Sequence, residues 1–369
     1  MTAKIIYIIT RSDIGGAQNH VISLLEYFNS KYDLVLVSGG EGPLLESARA
    51  IGVSCYTISS IDSFNFAQAI VSLRKVLIKE KPDLVHTHSS LASLYGRLAA
   101  RLGKFPVVYT VHGWHFANLR NNVRTVFQIF IERLLKSITR HWIVVSKYDY
   151  DLGVSYNLVD AKSLSYIPNG VADIGFSSIA NDVSSNNLNL LFIGRASEQK
   201  NCIGAIDVLE KTDTNVTLAI YTSGDDADKV LSRVKSSPIV NRCKVIVDDL
   251  NAGAKVVRYD LMLVTSRYEG MPLSVLEGLR AALPIISTDV CGMNELVTPQ
   301  NGFLLEQDAP QAMADKINLL NRDRSLLLEM GQASRQLYES KYTDHLMCTK
   351  TEKVYQEILA WCVPIEGDS

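Results

Sequence analysis

Short, nearly continuous apolar runs separated by helical patterns dominate this chain, and they come in two series. In the first, Lys4–Ile9, Leu34–Val37, Leu84–His86, Val107–Val111 and Trp142–Val145 read as strands, while Gln18–Phe28, Phe66–Lys79 and Ser90–Arg101 carry apolar residues at helical spacing. The rhythm restarts after residue 187 with Leu190–Ile193, Val216–Tyr221, Lys244–Val247, Leu261–Thr265 and Pro284–Ser287. Strands that are apolar on both faces and alternate with helices predict a parallel sheet covered on each side. Two such series predict two doubly wound α/β domains in tandem, and 369 residues exceed the ~250–300 at which one core stops growing. The expected domains are 1–172 and 190–343, joined by a linker over 173–189 that is rich in Ser and Asn. A terminal amphipathic segment over 344–361 carries Tyr355 and Leu359 on one face.

Composition narrows the class. No segment reaches the ~18–20 apolar residues of a membrane span, and Met-Thr-Ala-Lys runs directly into the first strand without a signal-peptide pattern, so a cytoplasmic protein is expected. Six cysteines form no Cys-x-x-Cys pair and predict reduced, mostly buried thiols. The first 172 residues carry 18 Lys/Arg against 12 Asp/Glu and the remainder 19 against 27, so a basic half precedes an acidic one. The two halves should therefore meet different partners. The basic excess is too small, and too lacking in interleaved aromatics, for nucleic acid.

The richest segment is Arg267-Tyr-Glu-Gly-Met-Pro-Leu-Ser-Val-Leu-Glu277-Gly. Two carboxylates, Glu269 and Glu277, flank a turn of Gly270, Met271, Pro272 and Leu273 that opens a helix after a buried strand. Amides at a helix N-terminus favour anionic groups, so the segment suits a ligand that is both hydroxylated and phosphorylated.

This segment resembles the Glu-x7-Glu signature of the retaining family 4 glycosyltransferases. The likeness extends along most of the chain: Gly15-Gly-Ala-Gln-Asn-His after the first strand, His112-Gly, Ile167-Pro-Asn-Gly-Val, Gly194-Arg195, Lys200 and Asn301-Gly-Phe-Leu, in that order. The resemblance implies the GT-B fold, two Rossmann-like domains facing across a cleft, with the segment over about 344–369 packing back on the first domain. Ligands of open parallel sheets bind beyond the carboxyl ends of strands, where each motif here falls.

The resemblance also implies roles. Arg195 and Lys200 would clamp the diphosphate of a nucleotide-sugar donor in place of a metal ion; standing alone, they would be ordinary surface cations. Gly15 and Gly16 would let backbone approach the donor and present amides to it; alone, they would mark a strand-to-helix turn. Glu277 would accept hydrogen bonds from the ribose, with an i,i+3 pair to Arg280 as its structural alternative. Glu269 would contact the transferred sugar and counter its developing positive charge, and His112 would hydrogen-bond that sugar. Gly278 departs from the Ala usual after the second Glu, which lowers helix propensity alone.

Two metal-like patterns compete. His86-Thr-His88 puts two imidazoles on one face of a strand, and His112 and His115 could join them, but no carboxylate ligands are evident nearby. Asp226-Ala-Asp228 imitates a metal-holding Asp-x-Asp, yet its Gly/Asp loop suits a turn or helix cap. No metal and no cofactor are expected.

Asn118–Arg140 is basic and amphipathic: Arg120, Arg124, Arg133, Lys136 and Arg140 stand against Glu132, and Val123, Phe127, Phe130, Leu134 and Ile138 recur at helical spacing. Such a helix can rest on anionic lipid or serve as a core helix with a solvated edge. Similar enzymes that extend lipid-linked saccharides use a basic patch of the first domain in this way, which favours peripheral contact with the inner face of the cell membrane. The combined expectation is a retaining transferase moving a hexose or N-acetylhexosamine from a nucleotide diphosphate sugar, UDP-linked, to a saccharide or lipid-linked saccharide of a bacterial surface polymer. An epimerase or hydrolase on the same scaffold and a non-catalytic nucleotide-sugar binder are the alternatives.

Overall fold

The computed structural model describes residues 2–63, 65–114, 123–174, 187–249 and 252–362. They form two compact units, Met1–Asn169 with Asp344–Ser369, and Gly170–Thr343.

The first unit runs β1 (Lys4–Ile9), α1 (Gly16–Phe28), β2 (Asp33–Ser38), α2 (Pro43–Ala50), β3 (Ser54–Thr57), α3 (Phe66–Glu80), β4 (Leu84–His88), α4 (Ser90–Gly103), β5 (Val107–Val111), α5 (Val123–Leu135), β6 (His141–Val144), α6 (Lys147–Ser155) and β7 (Leu164–Tyr166). Its strands make one parallel sheet in the order β3-β2-β1-β4-β5-β6-β7. Alternation along β1 explains the unbroken apolar run: Ile5, Tyr7 and Ile9 face one core with α1, and Ile6 and Ile8 face another with α3 and α4. Each such side chain contributes roughly 1.5–3 kcal/mol by leaving water.

The second unit runs β8 (Leu188–Ile193), α7 (Cys202–Leu209), β9 (Val216–Thr222), α8 (Ala227–Lys235), β10 (Cys243–Val247), α9 (Ala252–Lys255), β11 (Leu261–Val264), α10 (Leu273–Arg280), β12 (Ile285–Thr288), α11 (Met293–Leu296), β13 (Gly302–Leu305), α12 (Pro310–Arg322) and α13 (Arg324–Lys341). The parallel order is β10-β9-β8-β11-β12-β13. After it, α14 (Asp344–Cys362) belongs to the first unit, where Met347, Tyr355 and Ile358 share a core with Ile5 and Phe28. The Tyr355 hydroxyl meets the Tyr7 hydroxyl at 3.0 Å and His86 Nδ1 at 2.5 Å.

Each sheet reverses its winding at one place, between β1 and β4 in the first unit and between β8 and β11 in the second. Loops leaving adjacent strands there diverge to opposite faces and leave a crevice, the usual ligand position in such sheets. The motif residues lie on these loops: Gly15 and Gly16 follow β1, Arg195 and Lys200 follow β8, and Glu269 follows β11.

All ten strands expected from apolar runs are present, with ends shifted by at most two residues. Three more, β3, β7 and β13, lie at sheet edges; polar residues break the apolar pattern of β3 and β7, and the apolar run of β13 is only Phe303 to Leu305, too short to stand out as a strand.

Candidate active site

In the second unit, the loops after β8 and β11 are stitched together. The Arg267 amide donates to the Gln199 carbonyl at 2.7 Å, Gln199 Nε2 to the Tyr268 carbonyl at 3.1 Å, and Thr265 Oγ1 to the Asn201 carbonyl at 2.8 Å. This brings Lys200 Nζ to 2.6 Å from Oε1 of Glu269, which also accepts from Ser266 Oγ at 2.6 Å. Glu269 is 8% exposed, so its charge is held by those two donors rather than by water. The Lys200 chain runs over Gly194, where an added Cβ would stand 3.1 Å from Cγ. An ammonium has three donors, so Lys200 can hold Glu269 and still offer N–H groups to a second anion. Arg195 is exposed and forms no ion pair among the described residues.

Pro272 caps α10, its carbonyl accepting from the Val275 and Leu276 amides, while buried Leu273, Val275, Leu276 and Leu279 anchor the helix. The unpaired amides of its first turn follow directly on Gly270 and Met271. The Gly270 carbonyl lies against Gly292, which has φ +79° and stands where a Cβ would overlap that oxygen. Glycine is needed there for both conformation and space.

Glu277, one turn further along α10, is half-buried. Burial pushes its carboxyl up to about 7, with Arg280 opposing. The i,i+3 ion pair with Arg280, the structural alternative for Glu277, does not form: Arg280 Nη1 donates to the Ala172 carbonyl at 2.9 Å and Nη2 to the Gly253 carbonyl at 2.7 Å. Gly253 packs on the Glu277 carboxylate so closely that a Cβ would overlap Oε1. Glu277 is therefore a desolvated acceptor awaiting a donor, the condition a ribose hydroxyl would relieve.

In the first unit, Gly15 is extended (φ −177°), and Gly16 opens α1 with no side-chain cap on the first-turn amides. His112 follows β5, and Gly113 after it has φ +131°. The Trp114 amide and indole N–H then donate to Asp149 Oδ1 and to the Asp149 carbonyl, at 3.0 and 2.9 Å, which fixes the turn. His112 Nε2 meets His88 Nδ1 at 3.1 Å. Burial, then the neighbouring His20 and His86, hold the His112 imidazolium well below its ordinary range, so the ring is neutral and suited to hydrogen bonding.

The His86/His88 pairing is real, with ring centroids 4.1 Å apart, but His86 is committed elsewhere, to Tyr355 and to Thr110 Oγ1 at 2.7 Å. The residue that joins His88 and His112 is His20 of α1, at centroid distances of 5.5 and 4.8 Å. Nothing in the sequence separates His20 from the apolar face it shares with Val21, Leu24 and Leu25; only the adjacency of β1, β4 and β5 brings it in. His115 lies outside the described residues. Asp226 takes the cap position of α8 but makes no capping hydrogen bond, pairing with Lys229 at 2.6 Å instead.

The basic segment divides. α5 is described over Val123–Leu135 and ends short of the expected Arg140, and a 3-10 turn follows over Lys136–Ile138. Arg120 and the side chain of Arg124 lie outside the described residues. Arg133 donates to the Tyr156 carbonyl and Lys136 to Asn157 Oδ1, while Glu132 grips the fully buried Arg97 with two bonds of 2.8 and 2.9 Å. Val123, Val126, Phe127, Phe130 and Leu134 form an apolar stripe that is 55–85% exposed, the opposite of a core helix. No described helix is long and apolar enough to cross a membrane.

Comparison with known proteins agrees with this arrangement. Residues 14–173 match the Glycosyltransferase Family 4 domain model and residues 177–337 the Glycosyl transferases group 1 model. An Escherichia coli UDP-Gal:alpha-D-GlcNAc-diphosphoundecaprenol alpha-1,3-galactosyltransferase is 29% identical over 79% of this chain and 81% of its own length. The E. coli O-antigen biosynthesis glycosyltransferase WbnH is 27% identical over 81% of this chain and 85% of its own. The fold matches that of Anabaena Alr3699/HepE, solved with UDP and glucose, at a TM-score of 0.83 over 96% of this chain and 100% of that one, with 16% identity. Two parallel Rossmann-like units carrying these two domain matches identify the chain as a GT-B glycosyltransferase that belongs to family 4.

Proposed function

We propose that the protein transfers a hexose or N-acetylhexosamine from a UDP-sugar to a lipid-linked saccharide in bacterial surface polysaccharide synthesis, with retention of anomeric configuration and without a metal ion. The observation that carries this is the Lys200–Glu269 pair at the crevice of the second sheet, one helical segment from the Glu277 carboxylate, which has no partner among the described residues. The relative named for a diphosphoundecaprenol acceptor and the neighbour solved with UDP and glucose support the acceptor and donor classes.

The chemistry follows from the groups. Arg195 and the spare N–H groups of Lys200 take up charge as the β-phosphate oxygen departs, and the first-turn amides of α10 add their dipoles. Glu269, held by Lys200 and Ser266, faces the positive charge that grows on the anomeric carbon. Glu277 accepts from the ribose, and Gly15 and Gly16 offer amides to the donor. Neutral His112 hydrogen-bonds the sugar and orients it rather than supplying a proton. The exposed stripe of α5, with Arg120, Arg124 and Arg140 along its segment, supports docking on anionic lipid, where a polyprenyl acceptor resides.

The test is turnover of UDP-galactose, UDP-glucose and UDP-GlcNAc with a polyprenyl diphosphate N-acetylglucosamine acceptor in EDTA, followed by proton NMR of the new anomeric centre. Acceptor-dependent UDP release with an axial product is expected. Free sugar without acceptor would make the protein a hydrolase, and an equatorial product would remove retention.

A further inference from the structure

The histidine cluster of the first unit exceeds what a sugar-contacting His112 needs. His20, His88 and His112 each present a ring nitrogen, and the three nitrogens lie within 4.8 Å of one another. Two of them, His88 Nδ1 and His112 Nε2, stand 3.1 Å apart, close to the roughly 3.3 Å that two imidazoles keep on one tetrahedral ion with ~2.05 Å bonds. His20 Nδ1 donates to Asn169 Oδ1 at 3.0 Å, which leaves the Nε2 lone pair free and fixes the ring from behind, as outer partners of metal-bound histidines do. His88 is fully buried, and its Nε2 has no hydrogen-bond partner among the described residues, so that nitrogen is free to carry the ring proton while Nδ1 turns its lone pair to an ion. Burial keeps all three rings in the neutral form that binds metals. His112 is half-buried, so a fourth position can be taken by water.

We propose that His20, His88 and His112 form a three-imidazole site for a borderline divalent ion such as Zn²⁺, and that occupancy inhibits transfer by withdrawing His112 from the sugar. An all-nitrogen set without carboxylate disfavours Mg²⁺, Mn²⁺ and Ca²⁺, which separates this site from a Mg²⁺ or Mn²⁺ centre that would hold a donor diphosphate. Binding moves no net proton: the hydrogen shared between His88 and His112 shifts to a nitrogen that is not coordinated, and both facing lone pairs meet the ion. The inhibitory half rests on the proposed role of His112; the binding half does not.

The experiment uses the tag-free full chain. Co²⁺ titration is followed by visible absorption, Zn²⁺ affinity by competition with a chromophoric chelator, and UDP binding by thermal shift. The expected result is one equivalent of ion with the intense bands of tetrahedral Co²⁺, Zn²⁺ affinity lowered at least tenfold in both His20→Gln and His88→Gln, and no uptake of Mg²⁺. Should His88→Gln fail to fold, His20→Gln carries the test, since the bond it removes, from Nδ1 to Asn169 Oδ1, is a single neutral hydrogen bond. No uptake, or uptake unchanged in both variants, overturns the site. Uptake with unchanged transfer overturns inhibition and counts against His112 as a sugar contact. Absence of a UDP shift leaves the metal result standing and strikes at the donor reading alone.

Discussion

Replacing Glu277 by Gln should stabilise the ligand-free protein at alkaline pH while weakening its grip on the donor. A carboxyl that ionises near 4.5 when unfolded and about 7 when folded holds its proton more tightly in the native state. Stability from such a group is fully present below 4.5 and is lost as pH rises through 7. Integrating the proton difference between pH 5 and pH 8 gives about 2.5 kcal/mol of destabilisation that wild type suffers and the amide does not. In a unit of this size that corresponds to roughly 5–10 °C in melting temperature. The assay is thermal or urea unfolding of both proteins at pH 5 and pH 8 without ligand. The Gln variant should gain on wild type between the two pH values by about that amount, and UDP should bind the variant more weakly at pH 8. An equal difference at both pH values would refute the claim that Glu277 is a desolvated acid, and with it the part given to Gly253 in covering it.

Lys200→Ala leaves Glu269 buried with Ser266 alone, which should cost about 3 kcal/mol in urea unfolding, and Glu269→Gln in the same chain should recover most of it. Gly292→Ala forces a side chain into both a left-handed backbone and the Gly270 carbonyl; a loss of about 2–3 kcal/mol and a raised KM for donor are expected. Gly253→Ala should displace the Glu277 carboxylate and raise donor KM while leaving kcat within a few-fold, and unchanged KM would detach Glu277 from the ribose. Phe127→Glu with Phe130→Glu should abolish flotation with anionic vesicles at unchanged melting temperature, since neither ring is in a core; retained flotation would end the membrane proposal.

The fold was legible because parallel strands buried on both faces leave long apolar runs: β1, β5 and β11 announce themselves, whereas β3, polar and part-exposed at a sheet edge, and β13, with an apolar run of only three residues, do not. The site was legible as residue types on loops after strands, and Lys200 and Glu269 meet as neighbours of one crevice. What sequence could not supply is who faces whom across strands that are distant in the chain. His20 joins His88 and His112 only because β1, β4 and β5 are neighbours in the sheet, and Gly253 earns its meaning only beside Glu277. The basic segment shows the reverse case: helical spacing located the apolar stripe of α5, but spacing is the same for a buried and an exposed face, and only the packed structure tells them apart.

Calorimetric titration of UDP and of uridine into wild type, Arg195→Ala and Lys200→Ala in EDTA tests the central claim most directly. Side-chain cations acting as the diphosphate clamp predict that UDP binds wild type without any metal, that each variant loses at least tenfold in UDP affinity, and that uridine binds all three alike. UDP binding that requires Mg²⁺, or that survives both substitutions, would contradict the account.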